Sequence, residues 1–410
     1  MSSCLLKANI IYIDLSPCGG AERLTLVTMQ ALSQNGIKFD FTTCVQPNIK
    51  KLENAYGSKI ASIVKKAEKI NILESLGEPV INRIIEKGSY DITINTHGDT
   101  LPFYHYSLSK NNAVTYCHFP SAKFHIDSEN LEYLRDIMVA SIPQIYGRDF
   151  SNNVESPILD LKTRHKVKNY FKFLGAKYET LMNNTLVLTN SQYCRRAIWS
   201  AFSVDAKILY PPVDVETISK GALKSTKRED VILVISRIAP DKQIENAIEL
   251  AKILQNRGVG QKGMTIVGNL HNYDHHYYQT LKKMIADYDL SKYLSLQTNI
   301  SFCKLIQLME KAKVYFHPRI GEHFGISIVE AMAAGLVPIV SGVGGHTEFT
   351  PSKYHFNTLE HAADLIALAF KATNSERLAI SNSTAKFSNA NYVKSFHRIL
   401  SELLDGKCNT

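Results

Sequence analysis

Two glutamates bracket an apolar run late in the chain: Glu322 and Glu330, in the stretch GEHFGISIVEAMAAG at 321–335. The segment from about Phe324 to Ala334 has helical character, and Gly335 supplies the stop. Glu322 then stands in the loop before the helix, and Glu330 lies roughly 12 Å further along at the rise of an α-helix. Eight residues amount to about two turns plus 80°, so the carboxylates share a broad side without touching. They cannot share a proton. Either each grips a different part of an elongated ligand, or one is structural. Glu330 sits among Ile328, Val329, Ala331 and Met332, where a carboxylate needs a partner. The paired hydroxyls of a ribose would serve, and so would a buried Arg or Lys.

Three other groupings carry chemical potential. In SRIAPDKQ, Arg237 and Lys242 follow an apolar strand, a placement that suits a diphosphate or an ordinary capped surface helix. In YCHFP, His118 ends an apolar strand before a proline, near Asn95, Thr96, His97 and Gly98 at the end of another; a lone histidine there is often structural. Gly19 and Gly20 lie between a strand and a helix start, where backbone amides can approach an oxyanion, although the spacing is not GxGxxG. A second glycine-rich loop, Val343-Gly344-Gly345 with Glu348 behind it, follows the strand LVPIVS and reads as opening a helix.

The elements that must position these residues alternate between strand and helix. Apolar runs at 8–14, 37–43, 91–96, 113–117 and 185–190 read as strands. Leu24, Val27, Ala31 and Leu32 recur at helical spacing after Gly20, with Gly36 as the stop, and Ser191 is positioned to cap a second helix. Pro211-Pro212 interrupts both kinds of element and marks a domain boundary. Beyond it, strands at 230–236, 263–268, 313–318 and 336–341 alternate with helices at 240–258 and 301–312, the latter capped by Ser301. The pattern predicts an α/β protein of two doubly wound, Rossmann-like domains facing each other across a cleft. Residues 1–211 and 212–390 are the expected domains, with a C-terminal helix at 391–410 packing back on the first.

Composition excludes several classes. Hydrophobic residues make up 45% and charged residues 21%, as in a soluble globular chain. Seven scattered cysteines include no CxxC pair and no zinc spacing, so a reducing compartment is expected. No apolar run has spanning length, and residues 1–16 read as neither an anchor nor a signal peptide. The net charge of +9 favours polyanionic partners, and no recognition motif points to nucleic acid. The basic, aromatic-bearing stretch 162–178 reads as a solvated helix or as a helix resting on anionic lipid.

Taken together, these motifs resemble the retaining glycosyltransferases of family 4, which have the GT-B fold. The glutamate pair separated by seven residues, the surrounding HPRIGEHFGISIVEAMAAGLVPIVSGVGG, the GGAE at 19–22 and the pair Arg237/Lys242 occur in that family's order. A narrower resemblance is to the dolichol-pathway GDP-mannose-dependent α-1,2-mannosyltransferases, carried by YCHFPSAK, EHFGISIVEAMAAG, NSQYCRRAIWSAF and ILYPPVDV. Those enzymes carry an N-terminal anchor, and if the stretch 162–178 rests on lipid rather than being a solvated helix, it is the candidate for that role on the cytoplasmic face of a membrane.

The resemblance implies a division of labour. The second domain would bind a nucleotide-sugar donor, with Glu330 on the ribose and Phe324, Gly325 and Ile326 against the donor. Arg237 and Lys242 would hold the diphosphate. Glu322 would bind the sugar near its anomeric carbon, and His118 would reach the sugar from the first domain. Gly19 and Gly20 would approach the diphosphate or the acceptor, a glycan or polyprenyl-diphosphate-linked oligosaccharide. No metal is expected, and no cofactor. Retention would proceed by front-face attack, since no second carboxylate is placed for a covalent intermediate. The alternatives are a UDP-sugar-dependent transferase of surface polysaccharide synthesis, a GT-B nucleotide-sugar epimerase and a non-catalytic binding module.

Overall fold

The computed structural model describes residues 6–73, 90–98, 112–130, 178–223, 228–271 and 274–405, with isolated positions between 168 and 176. The chain forms two units, Met1–Tyr210 with Val393–Thr410, and Pro211–Tyr392.

The first unit holds a seven-stranded parallel sheet: β1 (Lys7–Ile11), β2 (Lys38–Thr43), β3 (Ile70–Ile72), β4 (Ile92–Asn95), β5 (Asn112–Cys117), β6 (Leu186–Thr189) and β7 (Lys207–Ile208). Their order in the sheet is β3-β2-β1-β4-β5-β6-β7. The central strands are apolar on both faces because helices cover both: Ile10, Ile11, Phe39, Phe41, Ile94 and Val114 are all buried. The helix Gly20–Gln34 returns the chain from β1 to β2, and Gln192–Phe202 connects β6 to β7 with Ser191 as its cap, accepting from the Cys194 amide.

The second unit holds six parallel strands: β8 (Glu229–Ile235), β9 (Met264–Gly268), β10 (Leu294–Thr298), β11 (Ala312–Phe316), β12 (Val337–Ser341) and β13 (His355–Phe356). The order β10-β9-β8-β11-β12-β13 reverses direction between β8 and β11, the arrangement of a dinucleotide-binding sheet. Such a reversal splays the connecting loops apart at the carboxyl ends of those two strands and leaves a crevice. In the first unit the same reversal falls between β1 and β4.

A half-buried arginine ties three of the second unit's helices together. Arg228 donates to the carbonyls of Ala222, Met309, Ala312 and Ala334, at or next to the ends of three helices. These are acceptors that a helix leaves without an internal partner. One of the three is Ile326–Ala333, which carries Glu330.

Three sequence expectations need correction. The segment after β8 is not one helix from Pro240. A 3₁₀ turn, Pro240–Lys242, ends at Gln243 in the left-handed region (φ +51°), and the α-helix Glu245–Asn256 starts afresh. The helix after Glu322 begins at Ile326, not Phe324, because Gly325 takes φ +91°. The loop at Gly344 opens only a 3₁₀ turn, Gly345–Glu348. Strands β3, β10 and β13 were not expected. They lie towards or at the sheet edges, where short or half-exposed runs leave little periodicity to read.

Candidate active site

The candidate residues form two groups, one in each unit. In the second unit the group stands at the carboxyl ends of β8 and β11, the two strands flanking the reversal. Arg237 and Lys242 come from the loop after β8, and His317, Arg319 and Glu322 from the loop after β11. The two loops are fastened to each other. Gln243 Oε1 accepts from the Ile320 amide at 2.9 Å, and Asn246 Nδ2 donates to the Pro318 carbonyl at 2.9 Å.

Glu322 is the centre of this group and is only 8% exposed. Its backbone bridges Gly344, and its carbonyl accepts from the Gly345 amide at 2.8 Å. A side chain at Gly344 would meet that carbonyl at 2.5 Å from its Cβ, and the residue has φ +135°, so only glycine fits. The loop after β12 thereby holds the Glu322 backbone in place.

The Glu322 carboxylate is almost fully engaged. Oε2 lies 3.3 Å from Lys242 Nζ, 3.3 Å from His317 Nε2 and 3.8 Å from Arg319. Oε1 accepts from the His323 amide at 3.0 Å. Burial pushes this carboxyl up, but Lys242, the His317 hydrogen bond and Arg319 outweigh it and hold the group well below the usual carboxylate range. Of the four lone-pair directions of a carboxylate, one on Oε1 has no partner among the described residues.

The protonation of His317 follows from its surroundings. Burial lowers its pKa and keeps the ring neutral despite the neighbouring carboxylate. Nε2–H therefore donates to Glu322, and Nδ1 accepts from the Tyr315 hydroxyl at 2.9 Å. The Ile235 carbonyl, an alternative acceptor for Tyr315, is further away at 3.3 Å. Tyr315 in turn accepts from Ser327 at 2.9 Å, in the first turn of the helix bearing Glu330. A chain of oriented donors thus runs from Ser327 through Tyr315 and His317 to Glu322. His346 packs nearby with its ring centroid 6.2 Å from that of His317. It donates Nε2–H to the Ser341 carbonyl at 2.7 Å, and burial lowers its pKa to about 4.

The remaining expected donor residues are placed as follows. Glu330 is half-buried on its helix. Phe324 turns its ring into an aromatic cluster with Phe349 and Phe387, at centroid distances of 5.1 and 5.4 Å, so what it offers a ligand is backbone. Gly325 makes the sharp entry to the helix, since a Cβ there would lie 2.5 Å from Ile328 Cδ1, and Ile326 is half-buried at the helix start. Arg237 is exposed and pairs with Asp241 at 2.8 Å. His317, Arg319 and Tyr315 escaped the sequence reading. The signal for His317 was its position at a strand end before a proline, the same context that singled out His118.

In the first unit, Gly19 and Gly20 begin the helix Gly20–Gln34 after β1, and His118 follows β5. The Gly19 amide donates to Glu22 Oε2 at 2.6 Å, and Tyr12 donates to Glu22 Oε1 at 2.5 Å. Burial raises the Glu22 carboxyl. His118 is half-buried and donates Nε2–H to the Thr96 carbonyl at 3.1 Å, while burial lowers its pKa. Gly98 (φ +98°) makes room for that ring, since a Cβ there would stand 3.0 Å from His118 Cδ2. Most of the stretch 162–178 lies outside the described residues.

The two parallel sheets, with helices on both faces, have the GT-B glycosyltransferase fold. A glycosyltransferase from Rickettsia africae has the same fold with a TM-score of 0.66 at 16% identity, over 98% of this chain and 99% of that one. Anabaena HepE, solved with UDP and glucose, gives a TM-score of 0.64 at 17% identity over 97% and 99%. More particularly, residues 215–385, which include every member of the Glu322 group, match the family of glycosyl transferases group 1. Among curated proteins, the chain is similar to the GDP-Man:Man(3)GlcNAc(2)-PP-Dol alpha-1,2-mannosyltransferase of Dictyostelium discoideum, 26% identical over 81% of this chain and 68% of that protein. The enzymes of the same name from Caenorhabditis elegans and Homo sapiens are 27% and 29% identical over 62% and 44% of this chain. The chain spans only 53% and 39% of the length of those two.

Proposed function

We propose that the chain is a retaining glycosyltransferase that moves mannose from GDP-mannose to a glycan or lipid-linked oligosaccharide. The observation that carries this reading is the buried Glu322 carboxylate, held ionised by Lys242 at 3.3 Å within a group 1 glycosyltransferase domain. The similarity to the α-1,2-mannosyltransferases supports the donor and the class of acceptor.

The assigned roles follow from the chemistry of each group. Glu330 binds the ribose hydroxyls. Arg237 and Lys242 bind the diphosphate and stabilise the charge it gains as it leaves. Glu322 accepts from a sugar hydroxyl with its remaining lone pair. Its negative charge lies beside the carbon that becomes electron-deficient as the glycosidic bond to phosphate breaks. The acceptor hydroxyl attacks from the same face and passes its proton to the departing phosphate, so configuration is retained. Gly19 and Gly20 are assigned to the diphosphate or acceptor end of the reaction, and His118 to the donor sugar.

Leaving-group charge is met here by side-chain cations, so the reaction is proposed to run without a divalent ion. Among the described residues no cluster of His, Cys, Asp or Glu suits a metal. Also among the described residues, no helix is long and apolar enough to cross a membrane. The proposed location is the cytoplasmic side of a membrane, reached peripherally.

A donor screen tests the reading. The protein is incubated with GDP-mannose, UDP-glucose, UDP-N-acetylglucosamine and ADP-glucose, with and without a polyprenyl-diphosphate oligosaccharide. Transfer of mannose only from the GDP donor, with α-linkage, is expected. Transfer from a UDP-sugar alone would overturn the donor assignment, and release of an altered free sugar without acceptor would overturn the reaction class.

A further inference from the structure

Asp241 has no part in the roles assigned above, yet it stands among all three cations of the donor group. Its Oδ1 lies 2.8 Å from Arg237. Its Oδ2 lies 3.8 Å from Lys242 Nζ and 4.0 Å from Arg319. The group therefore holds three positive charges, from Arg237, Lys242 and Arg319, against two negative ones, from Asp241 and Glu322, with His317 neutral.

The two carboxylates differ in what holds them. Glu322 is buried and bonded to His317 and to the His323 amide as well as to Lys242. It cannot leave. The Asp241 side chain is 46% exposed on a single 3₁₀ turn, and among the described residues its ion-pair partners are Arg237, Lys242 and Arg319. Exposed ion pairs of this kind are weak and salt-sensitive. A diphosphate carries two negative charges and can engage guanidinium groups bidentately, so it outcompetes a single exposed carboxylate for the same donors.

We propose that Asp241 is a tethered counter-anion: it holds Arg237, Lys242 and Arg319 together in the empty site and is displaced when a donor's diphosphate arrives. This rests on the donor-site reading above and adds a residue and a step to it. The same carboxylate must be displaced by every anion that enters, so it lowers affinity for all of them. Loss of Asp241 therefore makes phosphate ligands bind more tightly, the opposite of what is expected for a residue that helps build a binding site.

Calorimetric titration of the full chain with GDP and with inorganic pyrophosphate tests this, using the wild type, Asp241→Asn and Lys242→Ala at low and high salt. Asp241→Asn keeps the side-chain shape on an exposed turn. It is expected to bind both ligands about fivefold more tightly at low salt, with the gain shrinking at high salt. Unchanged or weaker binding by Asp241→Asn, while Lys242→Ala loses affinity, would overturn the displacement proposal and leave the donor site standing. Lys242→Ala binding as well as the wild type would instead sink the donor-site reading and this inference with it.

Discussion

Replacing Lys242 with Met keeps most of the aliphatic stem and removes the charge beside Glu322. The carboxylate stays where His317, the His323 amide and the Gly344 loop hold it, 8% exposed. Removing one partner of a buried pair costs about 3–5 kcal/mol when the other is left uncompensated. Here Arg319 remains at 3.8 Å and His317 still donates, so the cost falls below that range, about 2–3 kcal/mol at neutral pH. The pH dependence gives the sharper test. In the wild type the folded Glu322 pKa lies below its unfolded value, so its contribution is complete above the unfolded value and is lost only as pH falls through the folded one. Without Lys242, burial, the largest single influence on this carboxyl, is opposed only by His317 and Arg319, and the folded pKa is expected to rise above the unfolded value. The variant then relieves its deficit by taking up a proton as pH falls through that raised value, at about 1.4 kcal/mol per pH unit between the two. Native-state hydrogen exchange at the amides of β11 and β12 reads the opening of the second unit by itself. The gap between variant and wild type should be largest at pH 8 and clearly smaller at about pH 5. On a Glu322→Gln background the Lys242→Met change should cost under about 1 kcal/mol. A gap that does not vary with pH, or one that survives intact on the Gln background, would refute the account.

Two further outcomes are expected. His317→Leu removes the donor that orients Glu322. It should lower kcat for transfer by about tenfold with little change in nucleotide affinity, and shift the acidic limb of the pH–rate profile upward, while His317→Gln, which keeps an N–H, should recover most of the loss. Equal defects in both variants would leave only a packing role for the ring. Gly344→Ala forces a Cβ to within 2.5 Å of the Glu322 carbonyl at φ +135°. The strain is about 1–3 kcal/mol, and calorimetric melting should show it together with loss of transfer; an unaltered melting temperature would mean the loop relaxes freely.

Much of the candidate site was legible because it depends on local pattern. A strand followed by charged or glycine residues announces the carboxyl end of a parallel sheet, and that placed Arg237, Lys242, His118 and Gly19-Gly20 at loop positions after strands. Ser191 and Ser301 were readable as caps because capping is decided within three residues, and both accept from the expected amides. The helix after β8 was misread for the converse reason. Gln243 in the left-handed region breaks it, and a non-glycine residue gives no warning of that conformation.

Strand–helix alternation, the parallel sheets, the spacing of Glu322 and Glu330, and two of the three clustered cations, Arg237 and Lys242, are legible in local pattern. Which groups meet depends on the packed fold. Residues 237–242 and 317–322 are about eighty positions apart, and they converge because β8 and β11 are neighbours where the sheet order reverses. That adjacency brings Lys242, His317 and Arg319 onto one oxygen of Glu322 and sets Asp241 among three cations. The neighbouring cations and His317 keep Glu322 ionised against its burial, and burial keeps His317 neutral. Periodicity reports which face of an element is covered. It carries no information about which distant side chain does the covering, and the chemistry of this site lies in those pairings.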